Sequence, residues 1–345
     1  MTKMAAFIGV APACMTRRKG LQIETTSMKA AVVREVGKAP TYTDFEEPVP
    51  GEGEVRVHVK ASALTNFTKL RALGKHYSFA AKPPFVVGID GIGTLDDGRR
   101  VYFLFPRAPF GGMAERTVAP VAQCMDVPEG LDDAMLAALA DPGMSAWVAL
   151  EARARMRTGE TVLINGATGS AGRIAVQVAK YLGAAKVIAT GRNREALDSL
   201  KAIGADEVIV LDPNGGAPSD ALRNHFAHRI DIVLDYLWGA SALQIIEAAS
   251  AGEATRRVRF VQLGLSGGPT VTLPGTLLRS SAIEIMGSGA GSVAAEEIFT
   301  IIRKLMQSAP IVGFDLVTAT LPLSRVEDAW SATDASRRIV LAPDC

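Results

Sequence analysis

Val162-Leu163-Ile164-Asn165-Gly166-Ala167-Thr168-Gly169-Ser170-Ala171-Gly172, running on into Arg173-Ile174-Ala175-Val176-Gln177-Val178-Ala179-Lys180, decides the fold. The three parts are an apolar strand, a glycine-rich turn and an amphipathic helix, in the order that a dinucleotide pyrophosphate site requires. Gly169 is expected to let the backbone approach the pyrophosphate, and Gly172 to let the helix pack closely on the strand. A helix beginning near Ser170 turns unpaired amides and the positive end of its dipole towards the phosphates. Cofactor contacts are therefore expected at Ala167, Thr168, Gly169, Ser170, Ala171 and Gly172.

Downstream of this stretch the pattern repeats as strand, helix, strand. Lys186 to Thr190 reads as the second strand and Glu195 to Ile203 as a helix. Val208-Ile209-Val210, Ile230 to Leu234, Val258 to Leu263 and Ile283 to Met286 follow as strands. Such alternation produces a parallel sheet covered by helices. Loops beyond the carboxyl ends of its strands form the crevice, so Asp235 and Gly264 join the expected cofactor contacts, Asp235 with a helix cap and Gly264 with a plain turn as the competing readings.

The end of the second strand sets the charge of the cofactor. An NAD site places Asp or Glu there for the adenosine ribose, whereas this chain has Gly191-Arg192-Asn193-Arg194. Arg192 can form charge-assisted bonds to a 2′-phosphate that a carboxylate would repel, so NADPH is preferred over NADH. Lys186 would add positive charge if it curled towards that edge. A solvated pair of helix-start arginines is the alternative.

Ahead of the cofactor stretch lies enough chain for a second unit. Glu54 to Lys60 alternates at period two, and Asp96-Asp97-Gly98 turns into the apolar run Val101 to Phe105. Many short strands separated by Gly and Pro turns predict a barrel-like first domain. We divide the chain into an extension (1–27), a strand-rich unit (28–128), an α/β cofactor unit (129–290) and a last portion (291–345) that returns to the first unit.

Composition narrows the class. A formal net charge of +1 sets up no field for nucleic acid or an anionic membrane, and the chain has no apolar run long enough to span a bilayer. Three scattered cysteines exclude a disulfide framework or a four-cysteine zinc lobe. His225 and His228 sit three apart, but a solvated polar turn is the better reading, and no metal is expected. A cytoplasmic enzyme is the default.

The chain resembles the medium-chain dehydrogenase/reductase superfamily in its zinc-independent quinone oxidoreductase branch, which includes the zeta-crystallin-like enzymes. Besides Gly159 to Gly172, the segment Gly143-Met144-Ser145-Ala146-Trp147 is similar to the family's Gly-Leu-Thr-Ala-Tyr, and Ile203-Gly204-Ala205-Asp206 to its Leu-Gly-Ala-Asp. The resemblance implies a GroES-like β-rich catalytic domain joined to a Rossmann doubly wound parallel-sheet domain. It also implies NADPH-dependent reduction of quinones or activated alkenes, as a homodimer.

Asn66 in Ala63-Leu64-Thr65-Asn66-Phe67 resembles the family's Asn, although Phe67 stands where proline is expected and Lys69 where Asp is expected. Likewise Gly88-Ile89-Asp90-Gly91 resembles Pro-Gly-x-Glu, with Val87 for proline and Asp90 for glutamate. The candidates facing the nicotinamide are Asn66, Thr65 and Tyr77, with Ser145 hydrogen-bonded to the cofactor. Met144 and Trp147 are expected near the domain junction, and Glu115 as a structural residue.

Two other classes share the glycine loop. A non-catalytic NADPH-binding sensor or interaction protein would keep the loop and lose the acceptor site. A short-chain-type reductase needs a Tyr-x-x-x-Lys pair, and Tyr181 is followed four residues on by Ala185.

Overall fold

The computed structural model describes residues 26–76, 82–212, 218–252, 255–332 and 337–344. The expected extension lies almost wholly outside the described residues, as does Tyr77. The amino-terminal strands are β1 (Ser27–Val33), β2 (Thr41–Glu46), β3 (Glu54–Ala63), β4 (Phe85–Val86), β5 (Asp90–Leu95), β6 (Arg100–Leu104), β7 (Arg116–Pro120) and β8 (Cys124–Asp126), with helix α1 (Asn66–Ala72) after β3. Then come α2 (Asp133–Trp147), β9 (Thr161–Asn165), α3 (Ser170–Tyr181), β10 (Lys186–Gly191), α4 (Arg194–Ser199), β11 (Glu207–Val210), α5 (Asp220–His228), β12 (Ile232–Asp235), α6 (Gly239–Ser250) and β13 (Val258–Gln262). The chain finishes with α7 (Gly275–Arg279), β14 (Ile283–Gly287), α8 (Ala295–Val312), β15 (Thr318–Pro322), α9 (Val326–Ser331) and β16 (Arg338–Ala342).

Strands β9 to β14 form one parallel sheet in the order β11-β10-β9-β12-β13-β14. Order reverses at β9, which is the switch point of a doubly wound sheet and the place where such sheets bind ligands. Strand β9 is buried along its whole length, as a central strand covered on both faces must be. Helix α3 buries Ile174, Ala175, Val176, Val178 and Ala179 against the sheet.

The earlier strands build antiparallel sheets. β1 pairs with β2 and β4, while β3 pairs with β5 and β7 and the sheet continues through β6 to β8. Strands β15 and β16 join this second sheet, with Val340 opposite Ala63 and Leu341 opposite Ser62. Helix α8 instead packs beside α2, where a side chain on Gly143 would collide with Leu305 at 2.6 Å.

Helix α2 runs from Asp133 to Trp147 and passes straight into a π-helical turn at Val148–Arg153. Two local expectations are corrected. Lys186 does not curl to the cofactor edge: it stands at the opposite, amino end of β10 and pairs with Glu207. His225 and His228 lie in the last turn of α5, not in a solvated turn, since the Ser219 hydroxyl caps that helix and Leu222 and Phe226 bury its inner face. His225 Nε2 is engaged with the Glu207 carboxylate at 2.9 Å.

Candidate cofactor and acceptor site

The register of the parallel sheet sets Thr190, Asn165, Asp235, Gln262 and Gly287 in one row across the carboxyl ends of five strands. Hydrogen bonds run along that row. The Thr190 hydroxyl donates to Asn165 Oδ1 at 2.9 Å, and Asn165 Nδ2 donates to Asp235 Oδ1 at 2.8 Å and to Ser241 Oγ at 3.0 Å. Asp235 also accepts from the backbone N–H groups of Leu237 at 3.1 Å and Trp238 at 3.0 Å.

This row is a floor beneath the crevice. Asn165, Thr190 and Asp235 are fully buried, so the Asp235 carboxylate presents no atom to a cofactor; it clamps the loop entering α6. Burial raises its pKa above the ordinary carboxylate value, and the bonds from Leu237, Asn165 and Trp238 oppose the rise. Asn165 is not among the contacts expected from sequence, because its partner Asp235 lies 70 positions away, beyond any local signal.

Above the floor, the glycine loop is pinned by Gly166 and Ala167 N–H groups donating to the Thr190 carbonyl at 3.2 and 3.0 Å. Gly166 sits at φ +82°, a left-handed conformation that suits glycine, and turns the chain back over the strand ends. At Gly172 a Cβ would meet the Gly166 carbonyl oxygen at 2.4 Å and Ala167 Cα at 2.5 Å, so its bare backbone is demanded by packing. Gly169 differs: a Cβ there would meet only the Gly166 oxygen, at 3.6 Å. Packing within the chain does not require that glycine, and its open side is where a pyrophosphate would lie.

No side chain caps α3 at Gly169. Its first-turn amides, bordered by half-buried Thr168, Ser170 and Ala171, fit an anionic ligand. Ala167 is fully buried and contributes backbone alone. Gly264 has an internal explanation, since a Cβ would strike the Tyr236 carbonyl oxygen at 2.3 Å.

At the end of β10, Gly191 is buried against Thr168, and the Asn193 side chain caps α4 by accepting from Ala196 N at 3.0 Å. Arg194 is paired with Asp198 at 2.7 Å. Arg192 is exposed and has no hydrogen bond or ion pair among the described residues. Of the two neighbouring arginines, it is Arg192 that is available to a 2′-phosphate.

On the β-rich side, Asn66 is exposed as the first residue of α1. Thr65 is the N-cap of that helix: its buried hydroxyl accepts from Thr68 N at 3.0 Å and meets the Thr68 hydroxyl at 3.1 Å. Its side chain therefore positions Asn66 and is not itself presented to a ligand. The Ser145 hydroxyl donates to the Pro142 carbonyl at 3.1 Å inside α2. Trp147 packs on Tyr181 of α3, with ring centroids 5.5 Å apart, and donates to Glu151 at 2.7 Å. Glu115 accepts from Lys29 N at 3.0 Å in a structural bond between strands.

Three polar features had no local signal in the sequence. Asp90 is buried, accepts from the Tyr102 hydroxyl at 2.8 Å and leaves Oδ1 without a partner among the described residues. Burial pushes its carboxyl up to about 7, with the Tyr102 hydrogen bond opposing. Arg338 of β16 reaches Asp141 at 3.0 Å and ties the last strand to the mid-chain helix α2. The Tyr236 hydroxyl is buried just beyond β12, where burial raises its pKa and the neighbouring Ser145 hydroxyl of α2 opposes the rise, without a well-aligned hydrogen bond among the described residues. Nor, among those residues, do three or more His, Cys, Asp or Glu side chains come together to hold a metal ion.

A parallel sheet wound on both sides, a phosphate-binding loop at its switch point and an antiparallel β-rich partner define a dinucleotide-dependent oxidoreductase fold. The model of the zinc-binding dehydrogenase family matches residues 171–307, although the described residues offer no donor set that fits zinc. A probable NADPH-dependent quinone reductase of Emericella nidulans, tdiC, is 30% identical over 347 aligned residues, which cover 88% of this chain and 96% of that protein. A mycocerosic acid synthase-like polyketide synthase of Mycobacterium tuberculosis is 29% identical over 234 residues, 65% of this chain but 10% of that much longer protein. The crystal structure of the quinone oxidoreductase from Thermus thermophilus superposes with a TM-score of 0.76 at 27% identity, covering 91% of this chain and 100% of that one. The chain belongs to the medium-chain dehydrogenase/reductase superfamily, in its quinone oxidoreductase branch.

Proposed function

We propose that this protein is an NADPH-dependent, zinc-independent oxidoreductase that transfers hydride to a quinone or an α,β-unsaturated carbonyl. The observation that carries the reading is the unopposed Arg192 at the carboxyl end of β10, where an NADH enzyme would place an acid. The reductases of E. nidulans and T. thermophilus support it.

Bound NADPH supplies a hydride from nicotinamide C4. Gly169 leaves room for the pyrophosphate, the first amides of α3 bind it, and Arg192 holds the 2′-phosphate with Gly191 and Asn193 shaping the turn. Asn165 and Asp235 keep the loops at the sheet edge in register. Asn66 donates from its side-chain amide to the acceptor oxygen on which negative charge develops, and Thr65 fixes Asn66 by capping α1. Tyr77 enters this reading from its sequence neighbourhood as an aromatic wall beside the acceptor. Solvent delivers the proton that completes the reduction, so no dedicated acid is required.

We further propose a cytoplasmic homodimer. Strand β14 is the outer strand of the parallel sheet among the described residues, and its outer edge can pair across a two-fold axis. No helix among the described residues is long and apolar enough to cross a membrane.

The test is NADPH oxidation by chelator-treated protein against a panel of quinones and enones, with NADH in parallel. Turnover with NADPH that survives chelation is expected. Tight NADPH binding without turnover of any acceptor would replace this reading with that of a non-catalytic NADPH sensor.

A further inference from the structure

Helix α1 carries a charge that the protein does not neutralise. Arg71 is half-buried, and its guanidinium carbon lies 5.5 Å from the centroid of the Phe67 ring. No carboxylate among the described residues pairs with it. Four other partly buried arginines are paired with acids: Arg100 meets Asp133, Arg116 meets Glu47, Arg259 meets Glu160 and Arg338 meets Asp141, whereas Arg56, like Arg71, has no carboxylate partner among the described residues. Burial alone lowers the pKa of Arg71, with no acid opposing it, and the positive charge of Arg71 adds to burial in lowering that of His76. A cation withdrawn from water without a counter-ion is costly, and natural chains normally pair it.

Arg71 also faces a cavity of about 120 Å³. Its walls are mostly apolar, with Phe85, Val87, Phe105 and Phe110 among them, and Arg71 is the only charged residue among those described in the lining. The one lining hydroxyl, that of Thr68, is engaged with Thr65. Such a space suits a flat apolar body ending in a carboxylate. A neutral ligand would leave the guanidinium unmatched, and a highly charged one would be repelled by the aromatic walls.

The cavity is walled in part by α1, the helix that begins at Asn66. Arg71 follows Asn66 by five residues, about 7.5 Å along the helix axis and about 140° around it, so the cavity adjoins the helix that carries Asn66 without Asn66 lining it. Gly88 and Ile89, also in the lining, run directly into the buried Asp90. We propose that Arg71 binds a carboxylate carried by the hydride acceptor and so determines specificity for acidic quinones or enones. This rests on the hydride-transfer reading and names the substrate class for it.

A matched pair of acceptors tests the inference: 4-phenyl-3-buten-2-one and the same molecule with a para-carboxylate. Binding to the full chain loaded with NADP⁺ is measured by calorimetry, and NADPH oxidation is followed separately. The carboxylate is expected to bind at least about tenfold tighter than the neutral compound, the value of one charge-assisted hydrogen bond. Arg71→Gln should abolish that difference while leaving the neutral compound unchanged, and Arg71→Lys should restore part of it, because a point charge replaces a bidentate fork. Thermal melting of both variants establishes that they are folded.

Equal affinity for the two acceptors, or equal weakening of both by Arg71→Gln, overturns the inference even if both are reduced. The hydride-transfer reading fails by a different result. If the carboxylate discrimination stands but no quinone or enone is reduced, the anion site survives and the activity does not.

Discussion

Asn165 Nδ2 donates to Asp235 Oδ1 at 2.8 Å, and this bond joins the carboxyl ends of β9 and β12 directly beneath the glycine loop. Both residues are fully buried, so the bond lies in a low-dielectric setting where its loss cannot be repaired by water. It couples the loop that follows β9 to the loop that follows β12.

Asp235→Ala removes the acceptor for Asn165, Leu237 N and Trp238 N together. Leaving buried donors unpaired costs about 1–3 kcal/mol each, so a loss of roughly 3 kcal/mol in urea denaturation is expected. NADPH affinity should fall as well, because the α6 entry loop drifts from the sheet edge. Unchanged stability would show that the carboxylate is replaceable by solvent.

Gly172→Val should weaken NADPH binding by about tenfold or more, since the added side chain collides with loop backbone at Gly166 and Ala167 and forces the loop or α3 to move. Gly169→Ala separates packing from ligand contact. Its Cβ fits the empty protein, with a nearest contact of 3.6 Å, so melting should be unaffected while cofactor affinity drops. Calorimetric titration alongside thermal melting distinguishes the two effects.

Arg192→Ala is expected to raise KM for NADPH about tenfold, the value of one charge-assisted hydrogen bond, and to leave KM for NADH unchanged. Arg194→Ala is the control, because Arg194 is already occupied by Asp198. Side-by-side steady-state kinetics with both cofactors gives the answer. An equal rise for NADH would place Arg192 away from the 2′-phosphate.

Asp90→Asn should change how stability depends on pH. The Asp90 carboxyl is raised from 3.8 to about 7 in the folded protein. Its contribution is therefore fully present below the unfolded value of 3.8 and is lost as pH rises through about 7, because the unfolded chain ionises freely while the buried group resists. The amide variant has no such penalty. Relative to the wild type, its melting temperature should improve steadily between about pH 4 and pH 7 and level off above that, and a pH-independent difference would show that Asp90 titrates normally.

Much of this architecture is legible along the chain because its causes are local. The strand, glycine turn and helix from Val162 to Lys180 follow from apolar periodicity and from what glycine permits. The charge preference at Arg192 is likewise a property of the residues that follow one strand. What escaped was non-local: the α2 path through Pro142 into a π-turn, the placing of α5, and the burial of Asp90.

By itself the sequence determined the order of elements, the switch-point loop and the sign of the charge awaiting the cofactor, since each is encoded within a few neighbouring residues. Only the tertiary structure decided which polar residues remain free. It buried Asp235 and Thr65 in structural bonds, paired Arg194, and left Arg192 and Arg71 without counter-ions among the described residues. Availability of a side chain depends on what the rest of the chain brings to it, and those partners are set by packing across the fold.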